Sequence, residues 1–295
     1  MNAAKPENGP LAVASLLLAA TLWGLLWYPL RLLEGAGLSG LWATLVIYAS
    51  AALVVLPVLR RPPRLAGQRL DLLWMCLAAG WTNVAYILAV IEGNVVRVML
   101  LFFLSPLWTL LLGYWLLGER LTVLARRVFV LAFAGALVML WDPDIGLPWP
   151  RGRADWLAVS SGMAFALTNV MVRRLHGVAL WWKTWASWLG VMAVAGVALL
   201  LTGSVTPPAA PVMAWGGAVA LGMFGMVLMT VSVQYGVTHM PVHRSAVILL
   251  FELVAGALSA ALLTDETVRP NEWAGGLMIV TAAWLAARLP QAGPA

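Results

Sequence analysis

Charged side chains are scarce in this sequence of 295 residues, in which Asp, Glu, Lys and Arg together account for 10%. An ordinary soluble domain carries about 25% charged residues, so the composition excludes that class. Hydrophobic residues account for 62% of the chain, and the mean hydropathy is +0.90. The sequence therefore predicts an integral membrane protein.

Cysteine, cofactor motifs and long polar segments are also nearly absent. The single cysteine, Cys76, excludes an internal disulfide. No phosphate-binding loop occurs, and we predict no cofactor. The formal net charge is +6, but the Lys and Arg residues lie between apolar runs, where such residues set membrane topology. We therefore expect the lipid bilayer, and no nucleic acid, as a partner.

The apolar runs are unbroken and about 15 to 22 residues long, which predicts membrane-spanning helices rather than the shorter, alternating strands of a barrel. The first run follows a short polar leader without a cleavage pattern, so we expect it to remain as a span. The ten predicted spans cover residues 11–33, 38–59, 70–91, 98–117, 123–141, 154–175, 180–202, 212–235, 245–264 and 272–288.

The two halves of the sequence repeat each other at a shift of 147 residues, which separates Arg97 from Arg244 and Glu119 from Glu266. Each half holds five predicted spans. Because five is odd, the second copy must enter the bilayer from the opposite side. The predicted fold class is therefore an all-α integral membrane protein with ten transmembrane helices in two inverted five-helix repeats. Such repeats are typical of transporters with a site at the repeat interface.

A segment rich in Pro and Gly, residues 141–152, separates the halves. We place the first repeat at residues 1–143 (spans 1–5) and the second at residues 144–295 (spans 6–10). Thirteen of the eighteen basic residues fall on one membrane face, which we call the basic face. The five on the opposite face are Arg31, Arg97, Arg151, Arg153 and Arg269. This bias predicts a multi-pass protein of the cytoplasmic (inner) membrane with both termini in the cytoplasm.

Three sequence patterns in the first half carry a family resemblance. Span 4 contains Leu-Ser-Pro-Leu-Trp at residues 104–108, and Leu-Gly-Glu-Arg-Leu-Thr follows at residues 117–122. Span 1 contains Trp-Gly at residues 23–24. These patterns resemble the fourth and first spans of the EamA-type drug/metabolite transporters.

The ninth span shows a counterpart, Phe-Glu-Leu at residues 251–253 followed by Thr-Asp-Glu-Thr at residues 264–267. It departs from the family at Leu253, where Pro is usual, and at Asp265, where Gly is usual. The resemblance covers essentially the whole chain and is strongest to the bacterial aromatic amino acid exporters. It implies that the substrate is an amino acid moved outwards.

Matched positions in the two repeats indicate a central cavity. Trp23 and Trp27 share a face of span 1, and at a shift of 142 they coincide with Phe165 and Asn169 of span 6. Aromatic packing alone is the alternative explanation. We predict a cavity between spans 1, 3, 4, 6, 8 and 9 that these four side chains help to line.

Polar side chains on spans 3 and 8 are further candidates for substrate binding. Asn83 and Tyr86 share a face of span 3, and Thr230 and Gln234 share a face of span 8. Such side chains either orient a substrate or hydrogen-bond one helix to another. We include Asn83, Tyr86 and Gln234 in the predicted substrate site.

Glu252 is the one acid in the middle of a predicted span. A charge there costs about 2.5 to 3.5 kcal/mol on insertion scales, so the carboxyl should face a cavity, take up a proton or find a partner. It could carry a coupling proton or hold a substrate ammonium group; a structural carboxyl is the alternative. Pro106 predicts a helix kink in span 4, opposite an unkinked ninth span.

Spans 4 and 9 each have an Arg at one end and a Glu at the other. Glu119 and Glu266 are expected to cap the N-terminus of the span that follows each of them. Arg97 and Arg244 are expected to extend to the membrane surface as topology markers, with gating as the alternative.

His239 and His243 have the i, i+4 spacing of metal ligands. Pro241 lies between them and no acid is near, so we interpret them as polar loop residues and predict no metal site. The short fifth and tenth spans are rich in Ala and Gly and lack polar side chains, which predicts a seam of close helix packing.

Together these features predict a secondary transporter that exports amino acids, aromatic or other apolar ones, by alternating access, with a coupling proton. A multidrug or other small-metabolite carrier of the same fold is the alternative. An intramembrane enzyme would need paired acids, a nucleophile with a base, or a metal cluster, so we predict no enzyme activity. A purely structural membrane protein would lack a polar cavity.

Overall fold

The computed structural model describes residues 9–38, 40–59, 67–93, 95–141, 149–264 and 268–288. These residues form fourteen α-helices and no strand. The helices are α1 (Gly9–Leu25), α2 (Trp27–Gly35), α3 (Gly40–Val55), α4 (Arg69–Glu92), α5 (Val95–Phe102), α6 (Ser105–Leu117), α7 (Val123–Met139), α8 (Arg153–Arg174), α9 (Leu180–Leu201), α10 (Val212–Ala220), α11 (Val227–His239), α12 (Val242–Leu249), α13 (Phe251–Leu263) and α14 (Pro270–Arg288).

Four of the predicted spans consist of two consecutive helices. Span 1 is α1 with α2, span 4 is α5 with α6, and span 9 is α12 with α13. Span 8 is α10 with α11, joined by a π-helical turn at Leu221–Met226. Each of the other six spans contains one of the remaining α-helices.

Within the described residues, eight segments are long and apolar enough to cross a bilayer, and they correspond to spans 1–4 and 6–9. The fifth and tenth spans are α7 and α14. The 17 residues of α7 make a helix about 25 Å long, shorter than the roughly 30 Å of a hydrocarbon core. The prediction of an all-α membrane fold with ten spans is confirmed.

Helices of the two halves interleave. Helix α1 of the first half packs against α11 and α13 of the second half. Helix α8 of the second half packs against α4 and α6 of the first half. Because α11 and α13 occupy in the second repeat the places of α4 and α6 in the first, the same packing occurs twice with the halves exchanged. The interface between the repeats therefore forms much of the interior.

Two glycines bring helix backbones from opposite halves into contact. A Cβ atom at Gly24 of α1 would lie 2.6 Å from the carbonyl oxygen of Glu252 in α13. A Cβ atom at Gly162 of α8 would lie 2.6 Å from the carbonyl oxygen of Phe102, the last residue of α5. Only glycine leaves room for such contacts. They hold spans 1 and 6 against spans 9 and 4.

The predicted packing seam is present between α7 and α14. A Cβ atom at Gly135 of α7 would lie 2.9 Å from the carbonyl oxygen of Gly275 in α14. The two backbones therefore approach with no side chain between them, as small residues allow in membrane helices.

Span 4 is broken close to its middle. The first helix ends at Phe102, and the second begins at Ser105 with Pro106 in its first turn. Pro106 lacks the N–H group that would bond to the Phe102 carbonyl, so a regular helix cannot continue through this point.

Span 9 is broken as well, at Leu250, so the expectation of an unkinked ninth span is wrong. The Leu253 N–H group donates to the Leu250 carbonyl at 3.1 Å, which is the tighter i to i+3 pattern. No proline occurs at this break. It coincides instead with the backbone contact between Gly24 and Glu252, which depends on the packing of the two halves.

Candidate functional site

A cavity lies between the repeats, where the breaks in spans 4 and 9 face α8. Its polar lining consists of Ser105, Thr109, Asn169, Ser245 and Glu252, and its apolar lining of Phe102, Phe103, Pro106, Phe165, Val242, Ala246, Leu249 and Leu250. The space open to the centres of water molecules is about 20 Å³, which holds one or two waters. The cavity in this conformation is therefore smaller than an amino acid. We call it closed in the sense that four of its five polar side chains, Ser105, Thr109, Asn169 and Ser245, are 5% exposed or less.

Glu252 contributes the one acidic group of this lining. It lies in the first turn of α13, just after the break at Leu250. Across the described ranges, no Lys, Arg or His forms an ion pair with its carboxylate, and no donor hydrogen-bonds to it. Its repeat equivalent, 147 residues earlier, is Ser105. The two halves therefore place a carboxyl and a hydroxyl at matching positions, and one half alone supplies charge.

Helix α8 contributes Phe165 and Asn169, one turn apart and both in the cavity lining. The Asn169 side chain is 5% exposed and has no hydrogen-bond partner in the part of the chain that the structure describes. The ring of Phe165 lies 5.6 Å from that of Phe102, centroid to centroid. One helix face thus presents an aromatic ring and an amide that can still donate and accept.

Tyr86 lies directly behind the cavity wall. Its ring packs edge-on against Phe102 with the centroids 5.0 Å apart, and Phe102 itself contacts Phe103 at 5.3 Å. Tyr86 therefore supports the aromatic end of the cavity without being part of the present lining.

Asn83 and Gln234 lie outside this lining, and their polar groups bond neighbouring helices. The Asn83 side-chain oxygen accepts a 2.8 Å hydrogen bond from the Tyr48 hydroxyl group. Gln234 accepts from Thr184 at 3.2 Å and donates to Ser187 at 3.1 Å. In this conformation these side chains hold α4 to α3 and α11 to α9.

Trp23 and Trp27 also lie outside the lining. Span 1 breaks between them at Leu26, in front of Pro29, so they do not share a continuous helix face. The Trp27 indole donates to the Ser259 hydroxyl of α13 at 2.9 Å, while Trp23 packs against a separate apolar cluster. The closed cavity is bounded by spans 4, 6 and 9, without spans 1, 3 and 8.

Glu119 lies at the basic-face end of the cavity. Helix α6 ends at Leu117. The next residue, Gly118, has a left-handed φ of 69°, and the Glu119 N–H group donates back to the Gly113 carbonyl at 3.2 Å. After this turn the Glu119 carboxylate reaches the second half, where its Oε2 atom accepts a 2.9 Å hydrogen bond from the N–H group of Val242. Val242 is the first residue of α12 and lines the cavity.

The expectation that Glu119 caps the following span is therefore wrong. Thr122 caps α7, since its hydroxyl accepts a 3.1 Å hydrogen bond from the Ala125 N–H group. Glu119 caps α12 of the other repeat instead, a contact between residues 123 positions apart that local spacing cannot show.

Two side chains of the second half flank the Glu119 carboxylate. The Arg173 Nε atom lies 3.6 Å from Oε1, and the His243 Nδ1 atom lies 3.5 Å from Oε2. Arg173 also donates to the Thr238 carbonyl at 2.6 Å. The carboxylate thus joins the end of span 4 to spans 6 and 9.

Lys183 is a buried cation, although it is one of the thirteen basic residues from which the membrane topology is predicted. Its side chain is 0% exposed, and its ammonium group donates to the Val172 carbonyl at 3.1 Å and the Thr238 hydroxyl at 2.6 Å. No carboxylate pairs with it within the described ranges. The signal for burial was its position inside the apolar helix that begins at Leu180, rather than between spans.

Arg97 and Arg244 bind helix ends instead of extending to the membrane surface. Arg97 forms a 2.9 Å ion pair with Asp155 in the first turn of α8 and donates to the Trp149 carbonyl. Arg244 donates to the Ala286 and Ala287 carbonyls at the end of α14, at 2.9 and 3.2 Å. A cation is favourable at such a helix C-terminus.

His239 ends α11 and His243 lies within α12, so the interpretation of both as loop residues is wrong. Among the described residues, no group of three His, Cys, Asp or Glu side chains could hold a metal ion. Glu266 lies outside the described residues, as do residues 142–148 with the repeat boundary at 143/144, and the expectations for them stay predictions.

The fold and the cavity between inverted repeats define this protein as a membrane transporter. The sequence pattern of the EamA-like transporter family matches the chain twice, at residues 10–141 and 152–288. The chain therefore belongs to the EamA-like transporter family, and it contains two copies of the repeat.

Similarity to known proteins extends over nearly the whole chain. It is 25% identical over 280 residues to an uncharacterized transporter from Archaeoglobus fulgidus, covering 93% of this chain and 96% of that protein. A protein of known crystal structure, 18% identical, superposes with a TM-score of 0.72 over 95% of this chain and 99% of that one. That likeness supports the fold alone.

Proposed function

We propose that this protein exports amino acids with aromatic or other apolar side chains across the cytoplasmic membrane by alternating access. The observation that carries the proposal is the set of side chains that line the cavity between the repeats. The Glu252 carboxyl and the Asn169 amide, which have no partners among the described residues, face the rings of Phe102, Phe103 and Phe165. An α-amino acid with an apolar side chain needs these three kinds of group.

Each part of the substrate has a counterpart in the lining. Glu252 accepts hydrogen bonds from the substrate ammonium group, and such charge-assisted bonds are about twice as strong as neutral ones. Asn169 and the hydroxyl of Ser105 donate to the substrate carboxylate. The aromatic rings contact the substrate side chain at the end of the cavity that Tyr86 supports.

Transport requires the repeats to move apart, since the closed cavity holds one or two waters. Inverted repeats allow such movement towards either membrane face around one site. When the halves separate, the cavity extends towards spans 1, 3 and 8, and there Trp23, Trp27, Asn83, Tyr86 and Gln234 complete the substrate site.

The proton gradient supplies the energy for export. The Glu252 carboxyl can bind either a proton or a substrate ammonium group, but not both at once. Proton entry from outside therefore releases the substrate there, and substrate binding inside releases the proton. No second ionisable group in the described lining is needed for this exchange.

Transport by purified protein in liposomes tests the proposal. A panel of radiolabelled amino acids is offered with and without a pH gradient across the membrane. We expect aromatic amino acids to accumulate against their gradient when the pH gradient is present, and small polar ones to accumulate far less. Absence of accumulation for every amino acid contradicts the proposal.

A carrier of apolar amines is a second candidate, because the described lining contains a carboxyl group but no Lys or Arg side chain. Such a site suits a lipophilic cation as well as a zwitterion. An aromatic amino acid and the amine that lacks its carboxyl group separate the two candidates. Transport of the amine alone favours the multidrug carrier, and transport of the amino acid alone favours the exporter.

A further inference from the structure

We propose that Glu119 is a positioning residue that holds the cavity closed at the basic face, so that breaking its contact with α12 opens the cavity to that face. The inference rests on the proposed alternating access, but it concerns access to the cavity and not the identity of the substrate.

The contact of Glu119 lies on the cavity wall itself. Its carboxylate accepts the N–H group of Val242 at 2.9 Å, and Val242 and Ser245, both on the first turn of α12, line the cavity. Movement of α12 away from α6 would therefore lengthen the Glu119 hydrogen bond and uncover Ser245, which is 1% exposed.

The contact joins the two repeats and has few substitutes at this point. Val242 follows Pro241, and the first N–H groups of a helix have no partner within that helix, so Glu119 satisfies a donor that is otherwise unpaired. Arg173 and His243, both in the second repeat, lie 3.6 and 3.5 Å from the same carboxylate. One carboxylate of the first repeat thus collects three groups of the second.

Close packing beside the hydrogen bond makes the same junction sensitive to shape. A Cβ atom at Gly113 of α6 would lie 2.7 Å from the Cγ2 atom of Val242, which is nearer than van der Waals contact. The Val242 side chain is stiff because it is β-branched. An added methyl group at Gly113 should therefore push α12 away while leaving the chemistry of Glu119 unchanged.

Cysteine accessibility tests the proposal without any substrate. Cys76 is replaced by Ser, Ser245→Cys is introduced as the reporter, and the protein in liposomes is exposed to a membrane-impermeant thiol reagent from the basic face. We expect Glu119→Ala to raise the labelling rate about tenfold, which corresponds to about 1.4 kcal/mol. Glu119→Gln keeps an acceptor for the Val242 N–H group but loses the charge. Its labelling rate should lie between that of the reporter protein and that of Glu119→Ala.

Two controls separate opening from general loosening. Asp71→Asn removes the 2.9 Å ion pair between Asp71 and Arg174, which also joins the repeats at the basic face but lies outside the cavity lining. Its labelling rate should equal that of the reporter protein. Labelling from the opposite face should not rise in Glu119→Ala, and an equal rise from both faces contradicts the proposal.

Gly113→Ala provides a second test if Glu119→Ala does not fold. We expect Gly113→Ala also to raise the labelling rate of the reporter cysteine from the basic face. The proposal would be overturned if the folded variants were labelled at the same rate as the reporter protein and differed from it only in a lower thermal stability. Glu119 would then be a simple helix cap. Because labelling needs no substrate, failure of the amino acid transport assay leaves this result unchanged, and the converse also holds.

Discussion

At the scale of single residues, the two repeats differ at one position that lines the cavity in both. Ser105 and Glu252 are repeat equivalents, and both line the cavity. A second carboxyl at Ser105 would place two like charges in one apolar site, at a cost that neither could offset. With one carboxyl, the cavity suits the single ammonium group or proton that we propose it binds.

The first prediction concerns Glu252→Gln. A neutral amide forms weaker hydrogen bonds to an ammonium group and cannot exchange a proton. We expect affinity for aromatic amino acids to fall about tenfold, and accumulation driven by a pH gradient to disappear. Binding to the purified protein and uptake into liposomes measure the two effects.

The results for Glu252→Gln separate its roles. Unchanged affinity with lost accumulation would assign the carboxyl to the proton alone. Wild-type values for both would leave Glu252 as a structural residue. Glu34→Gln, the same exchange at an exposed carboxyl outside the cavity lining, is the matched control.

The second prediction concerns Phe165→Ala. Loss of the ring removes apolar contact with an aromatic substrate, so we expect affinity for aromatic amino acids to fall about tenfold and that for alanine to change less than about threefold. Phe224→Ala, which removes a ring that is 73% exposed outside the cavity, should change neither. Equal losses for all substrates would indicate a packing role for Phe165.

At the scale of helices, breaks and glycine contacts occur together. Spans 4 and 9 are broken at equivalent places, and each broken segment contacts a glycine from the other half, Gly162 or Gly24. A break ends the regular hydrogen bonding of the helix, and the close backbone contact holds the two pieces in place. The cavity therefore lies where neither span 4 nor span 9 is a continuous helix.

The third prediction concerns Gly275→Ala in the seam between α7 and α14. The new methyl group would collide with the backbone of Gly135 and Met139, which cannot move as a side chain can. We expect a loss of about 1 to 3 kcal/mol in stability, typical of overpacking. Thermal unfolding in detergent measures it.

Gly216→Ala is the control for this seam, because nothing lies within 4 Å of its new methyl group. In a helix the exchange of Gly for Ala is slightly favourable, so the unfolding temperature should not fall. A similar fall in both variants would contradict the assignment of α7 and α14 as a tightly packed seam.

At the scale of the whole molecule, inversion of the repeats places equivalent loops on opposite membrane faces. The charge bias predicts which face is cytoplasmic. Gly152 and Gly177 are both exposed and have open space around them, and they lie on the opposite face and the basic face, respectively. They are therefore suited to report orientation.

The fourth prediction uses single cysteines at these sites in the Cys76→Ser background. In intact cells we expect Gly152→Cys to react with a membrane-impermeant thiol reagent and Gly177→Cys to react only after the membrane is permeabilised. The reverse pattern would place both termini outside the cytoplasm. Reaction at both sites in intact cells would show that the membrane is leaky and would require proteoliposomes of known orientation.

The class of the protein and the order of its spans could be predicted from the amino-acid sequence. In a long apolar run that crosses a bilayer, the backbone N–H and C=O groups find their hydrogen-bond partners by forming a helix. A repeat of five spans must be inverted. Both conclusions therefore follow from local composition and from counting spans. Glu252, Phe165 and Asn169 were also predictable as cavity candidates, because a charge in mid-span and matched positions in two repeats are visible in the chain.

Packing between helices determines the features that the sequence could not show. The break at Leu250 has no proline, Glu119 caps a helix of the other repeat, and Lys183 is buried rather than at the surface. Trp27 and Gln234 found partners on neighbouring helices instead of in the closed cavity. Each of these outcomes depends on contacts between distant residues, and a helical period reports which residues share a face but not which helix that face meets.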